Sequence, residues 1–189
     1  MIPRNEKLPS CPYPLKKTLL LIGMMGCGKS SLGSRLAKLY GLPFVDADDE
    51  VERAAGCSVS DLFERYGEGE FRRGEERVME RLLNGEICVL AAGGGSFLSE
   101  KTRRLAREKA VSVFLDADIS TLIRHTAGRT HRPLLNCGEP ARVLSALLEK
   151  RRPVYTSADI RVSYKEETMN QLVQLLIRRL NAYAGKEAE

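Results

Sequence analysis

Short apolar runs alternate along this chain with longer stretches in which apolar positions recur every three or four residues. The first run, TLLLI at 18–22, is almost unbroken, as expected for a strand covered on both faces. It ends at Gly23, and a helical pattern over 30–40 follows, stopped by Gly41. Further strands are predicted at 43–46, 87–91, 111–115 and 160–162. Helices are predicted at 48–55, in a short piece from Ser58 through Leu62 and Phe63, and at 70–83. Others follow at about 99–109 behind a Ser99 cap, at 119–127, at 141–152 up to Pro153, and at 169–184. Strands alternating with helices predict an α/β fold, a parallel sheet with helices on both faces. No repeat or linker divides the pattern, and two segments, 48–75 and 124–138, read as excursions from the sheet.

Composition adds bounds rather than detail. A chain of 189 residues, 43% hydrophobic and 29% charged, suits one domain with a buried core, expected at 18–189. Residues 1–17 carry four prolines and no signal-peptide-like apolar stretch, and are read as an extended leader. A net charge of +5 and a pI near 9.0 fit either a nucleic-acid face or a site that gathers small anions. The arginines are interspersed with acids, as in Glu64-Arg65 and Arg72-Arg73 before Glu75-Glu76, and aromatics are only 6%, which disfavours nucleic acid. Five scattered cysteines without a CxxC pair, and two histidines, support neither a disulfide framework nor a zinc cage; a reducing cytoplasm is expected. No apolar run approaches the ~18 residues of a membrane span.

Gly23-Met24-Met25-Gly26-Cys27-Gly28-Lys29-Ser30 fits G-x-x-x-x-G-K-S/T, and it lies between a predicted strand and a predicted helix, the context the motif requires. The glycines let the backbone turn its amides toward phosphate oxygens, and the helix adds the positive end of its dipole. Lys29 can reach the β- and γ-phosphates of ATP, and Ser30 can put its hydroxyl on Mg²⁺. The alternative, a glycine-rich turn with an exposed lysine, is disfavoured by that context. Cys27 is either a thiol activated by the helix amides or an inert small residue, and the second reading is favoured.

A phosphate loop does not by itself separate kinases from GTPases and motors. Asp46 and Asp48 stand at the carboxyl end of the second predicted strand, where residues two apart share a face and where ligands bind in such sheets. One carboxylate can serve hydrated Mg²⁺ while the other orients an attacking hydroxyl; alternatively, Asp48 only caps the next helix. Taken alone, Arg72 and Arg151 read as solvated charges on helices.

The ordered set GMMGCGKSS, DADDEVE, Phe71-Arg72-Arg73-x-Glu75-Glu76, Gly93-Gly94-Gly95, Arg132-Pro133-Leu134-Leu135 and Arg151-x-Pro153-x-Tyr155 resembles the shikimate kinase family. The matches run from about residue 18 to 162, weak singly and strong together. The resemblance implies a three-layer P-loop NTPase fold of the nucleoside-monophosphate-kinase type with a five-stranded parallel sheet, a substrate-binding segment at 48–75 and a lid at 124–138. It implies ATP- and Mg²⁺-dependent phosphorylation of the 3-hydroxyl of shikimate, a step toward chorismate and aromatic amino acids. A cytoplasmic monomer without nucleic-acid or membrane partners is expected. Lys29, Asp48 and Arg132 would be catalytic. Gly26, Cys27, Gly28, Lys29, Ser30, Ser31 and Arg132 would bind ATP, with Ser30 and, through water, Asp46 serving the metal. Asp48, Arg72, Glu75, Gly93, Gly94, Gly95 and Arg151 would hold the substrate. In that scheme Arg72 and Arg151 grip its carboxylate, Glu75 fixes the Arg72 rotamer, and Phe63 and Phe71 form apolar walls. Arg124, Arg129 and Arg132 would belong to a closing lid. His125 departs from the family, which often carries an arginine there near adenine, and the chain after Tyr155 follows it loosely. A kinase for another polyol acid or a nucleotide is one rival. A nucleotide-binding regulator without phosphotransfer is another, disfavoured because Lys29, Ser30, Asp46, Asp48 and Arg132 are all present.

Overall fold

The computed structural model describes residues 14–126 and 140–187. Its sheet is built around β1 (Thr18–Ile22), buried along its whole length as the apolar run predicts. Leu19, Leu20 and Leu21 are 0% exposed, and burying each such side chain contributes about 1.5–3 kcal/mol relative to leaving it in water. Parallel neighbours are β3 (Val89–Ala91) on one side and β4 (Ala110–Ala117) on the other. With β2 (Phe44–Asp46) beyond β3, and β5 (Ile160–Tyr164) beyond β4, the five strands run in the order β2-β3-β1-β4-β5. The chain crosses from one half of this sheet to the other beside β1, and the crevice at the strands' carboxyl ends is the place where doubly wound sheets bind ligands.

Helices cover the sheet through apolar stripes. α1 (Lys29–Tyr40) buries Leu32, Gly33, Leu36 and Ala37, one face at helical spacing. α2 (Ala47–Ala55) and α3 (Val59–Leu83) form the first excursion, and Val51, Phe71 and Val78 give it a small core of its own. α3 breaks at Gly67, whose backbone sits at φ 75°, ψ 171°, so it consists of two helical pieces on either side of that residue, as expected. After β3 come a single 3-10 turn (Ser96–Leu98) and α4 (Glu100–Lys109), whose cap is Ser99, as predicted. α5 (Ile119–Thr126), α6 (Pro140–Tyr155) and α7 (Met169–Glu187) complete the chain order.

Several boundaries differ from the pattern-based expectation, three of them with a visible cause. β4 is longer than 111–115 because Ala110, Asp116 and Ala117 are also buried in the sheet. β3 is shorter than 87–91, since Ile87 is 39% exposed. α6 runs through Pro153, expected as its stop. Tyr155 holds that last turn in place, 1% exposed and with its ring 5.2 Å from Phe114, an instance of tertiary packing overriding local propensity. Leu15, within the stretch read as a leader, packs against the core. The segment 127–139, which carries most of the expected lid including Arg129 and Arg132, lies outside the described residues. Among the described residues no helix is long and apolar enough to cross a membrane.

Candidate active site

β1 delivers the chain to the phosphate loop and α1 takes it away. Gly26 and Gly28 adopt φ 80° and 82°, values that strain any residue with a β-carbon. The amino end of α1 has no side-chain cap and no acid in its first turn, so its N–H groups are left for an anion. Lys29 Nζ is drawn over the loop by the Gly23 and Met24 carbonyls, at 2.9 and 3.1 Å. From outside, the Tyr164 hydroxyl donates to the Cys27 carbonyl, and His125 Nδ1 lies 3.0 Å from the Gly26 carbonyl. Cys27 is 1% exposed and belongs to the apolar core, and its Sγ accepts from Lys29 Nζ at 3.8 Å.

At the end of β2, Asp46 serves two purposes. Its Oδ1 accepts from the Asp48 backbone N–H at 3.1 Å, and its Oδ2 accepts from the Ser30 hydroxyl at 2.6 Å. The helix cap is therefore Asp46, not Asp48, which removes the capping alternative for Asp48. Asp48 is exposed and lines a cleft of about 360 Å³ together with Lys29, Ser30, Asp46 and Gly94. Ser30 and Asp46 offer hard oxygen donors side by side, a set suited to Mg²⁺, which keeps several waters and shares phosphate oxygens.

Gly93, Gly94 and Gly95 form the floor on which the remaining predicted groups meet. A β-carbon at residue 93 would lie 2.5 Å from Glu75 Oε1 and 2.6 Å from Asp48 Oδ1. At residue 94 it would lie 3.6 Å from Arg151 Nη1, and at residue 95 it would collide with the Arg72 guanidinium. Gly94 also faces the phosphate loop, since a β-carbon there would sit 3.8 Å from the Met25 amide nitrogen. The bare backbone at residues 93 and 95 thus makes room for Asp48, Glu75 and Arg72, brought from α2 and α3, while Arg151 from α6 lies in ordinary contact distance of residue 94.

Arg72 is fixed on three sides. Its Nη1 donates to Glu75 Oε2 at 2.7 Å, its Nη2 reaches Glu68 at 3.1 Å, and its guanidinium lies 5.8 and 5.1 Å from the ring centroids of Phe63 and Phe71. Burial disfavours its charge, but Glu75 and Glu68 outweigh burial and hold the guanidinium above its ordinary pKa. Glu75 is itself 3% exposed, and its other oxygen accepts from Ser96 at 2.7 Å. Arg151, 5% exposed, donates to the Gly94 carbonyl at 3.0 Å. It is a buried group at the site rather than a solvated charge.

The structure brings together the predicted phosphate-loop residues, Asp46, Asp48, Arg72, Glu75, the three glycines and Arg151; Arg132 lies outside the described residues. Ser96, Glu68 and Met169, which lines the cleft beside His125, were not foreseen. Tyr155 stood in a quoted motif without a role. Ser96 follows the glycines directly, but nothing in its neighbourhood announces a partner in α3. Met169 reads only as the start of an apolar helix face.

A phosphate loop at the switch point of a parallel sheet, opening on a cleft lined by carboxylates and arginines, defines a P-loop kinase of small molecules. The family model for shikimate kinase matches residues 25–181. The chain belongs to the shikimate kinase family. It is 44% identical over 173 residues to a shikimate kinase of Bradyrhizobium diazoefficiens, covering 91% of this chain and 84% of that protein. With a shikimate kinase of Caulobacter vibrioides it shares 51% identity over 150 residues, 79% of this chain and 75% of the other. Among solved structures, the shikimate kinase from Acinetobacter baumannii in complex with shikimate superposes with a TM-score of 0.86 at 30% identity, covering 92% of this chain and 98% of that one. A gluconokinase from Sinorhizobium meliloti, 21% identical with a TM-score of 0.57 over 93% of this chain and 98% of its own, shares the fold alone. Fold by itself therefore does not choose the acceptor.

Proposed function

We propose that the protein transfers the γ-phosphoryl group of ATP to the 3-hydroxyl of shikimate with the help of Mg²⁺. One observation carries this reading: three consecutive glycines receive Asp48 with Glu75, Arg151 and Arg72, so a carboxylate base and two guanidinium groups converge beside the phosphate loop. A ring acid matches that set, because guanidinium groups bind carboxylate through paired, charge-assisted hydrogen bonds while a carboxylate accepts from ring hydroxyls. A nucleotide acceptor would call instead for groups that read a base and a second phosphate.

In this mechanism the loop amides and Lys29 hold the β- and γ-phosphates. Ser30 and, through water, Asp46 would hold Mg²⁺, which would neutralise charge on the phosphate oxygens. Asp48 accepts a hydrogen bond from the attacking hydroxyl and aligns it with the phosphorus, and Arg72 and Arg151 anchor the acid at the far end of the ring. Positioning and charge neutralisation supply most of the acceleration. The segment 48–75, with its own small core, is assigned to substrate binding. Residues 124–138 are assigned to a lid whose Arg132 stabilises transition-state charge, with Arg124 and Arg129 in the same segment. The enzyme is placed in the cytoplasm as a monomer that needs neither nucleic acid nor membrane, consistent with its interspersed charges. Mass-spectrometric detection of singly phosphorylated shikimate, formed in step with ADP and lost in Asp48→Asn, is the expected result. ADP release without a phosphorylated acid would defeat the assignment.

A further inference from the structure

Tyr155 lies one helical turn after Arg151 on α6, and both side chains end on the same atom. The Tyr155 hydroxyl donates to the Gly94 carbonyl at 2.5 Å and Arg151 Nη1 donates to it at 3.0 Å. A carbonyl oxygen has two lone pairs, so the two donors together satisfy it. The phenol is held from behind by the Phe114 ring, with centroids 5.2 Å apart, and its oxygen is 3.9 Å from Met24 Sδ in the phosphate loop. Burial pushes the phenol up to about 12, so it remains a donor throughout the range in which enzymes work. The same helix is pinned beside Arg151, where Arg152 pairs with the buried Asp116 at 3.2 Å. Tyr155 thus ties together α6, the glycine floor and the phosphate loop, while exposing only 1% of its surface.

We propose that Tyr155 is a positioning residue for the acceptor: by occupying one lone pair of the Gly94 carbonyl it confines Arg151 Nη1 to the other, leaving the rest of that guanidinium for the substrate carboxylate. The peptide at Gly94 is planar and trans, so fixing its carbonyl also fixes the Gly95 N–H and the backbone over which Arg72 lies. This proposal rests on the assignment of Arg151 to the carboxylate. It differs from a purely structural role in what it moves. A structural tyrosine would change stability and all kinetic constants together, whereas a residue acting through Arg151 changes affinity for the acid.

Tyr155→Phe keeps the ring against Phe114, and the Gly94 carbonyl keeps Arg151, so the variant retains its fold; circular dichroism during heating checks this. In the Arg151 background it should lower kcat/KM for shikimate about tenfold, mainly through KM, with KM for ATP within about twofold, an effect conveyed by one shared hydrogen-bond acceptor. In an Arg151→Met background the same change should cost less than about twofold, since coupled residues are not additive. An unchanged KM for shikimate, or the same loss in both backgrounds, overturns the proposal. Failure of the unaltered protein to phosphorylate shikimate at all defeats the functional assignment first, and the proposal with it.

Discussion

The two sides of the cleft are held in different ways. On the phosphate side, one short stretch of chain supplies nearly everything: a turn allowed by glycine, amides at the start of α1, and a lysine drawn over the loop by carbonyls five and six residues away. On the acceptor side, no stretch suffices. Asp48, Arg72, Glu75 and Arg151 arrive from three helices and meet against residues 93–95, where a β-carbon at 93 or 95 would collide with Asp48, Glu75 or Arg72. A local device tolerates little change, because each of its parts does several things. A composite device fails by degrees, because each side chain can shift without unfolding the rest.

The two sides should therefore respond differently to substitution. Lys29→Ala removes the charge assigned to the β- and γ-phosphates and should reduce kcat by about 10³-fold, in the range seen when a transition-state charge stabiliser is lost. A coupled ADP assay measures it, and residual turnover within tenfold of the parent would mean that the lysine is not part of the chemistry. Gly95→Ala drives a methyl group into the Arg72 guanidinium and should raise KM for shikimate about 30- to 100-fold, equivalent to about 2–3 kcal/mol of charge-assisted hydrogen bonding, while leaving KM for ATP nearly unchanged. Equal effects on both substrates would erase the distinction between the two sides. Ser96→Ala is the mildest of the three. It takes the donor from a buried oxygen of Glu75, at about 1.5–3 kcal/mol, and should lower Tm by several degrees with only a several-fold rise in KM for shikimate. A drop in ATP affinity instead would place Ser96 on the phosphate side.

The same contrast governs what could be read from the sequence. The phosphate loop was legible in full because its geometry is encoded locally: the glycines, the lysine and the following helix are neighbours in the chain. The strand pattern was legible because parallel strands buried on both faces are unbroken apolar runs, as at β1. Of the acceptor site, Asp48 is legible from its place at a strand end, but the arginines only through the family resemblance, since Arg72 and Arg151 look like ordinary helix-surface arginines until the fold half-buries the first and buries the second. The passage of α6 through Pro153 escaped local reasoning for a related reason. Its last turn is held by Tyr155 against Phe114 and Gly94, partners that lie far away in sequence. Asp46 shows the limit from the other direction: the cap of the next helix was open only for Asp48, yet one oxygen of Asp46 fills that role and the other accepts from Ser30.

Comparison of shikimate with its methyl ester, measured as the ratio of kcat/KM values for phosphoryl transfer, tests the acceptor side most directly. Neutralising the carboxylate would remove the partner proposed for both arginines, so the ester should be at least about 100-fold poorer, beyond what loss of a single charge-assisted hydrogen bond would give. If ester and acid were phosphorylated equally well, Arg72 and Arg151 would not be holding a carboxylate, and the convergence of side chains on residues 93–95 would need a different explanation.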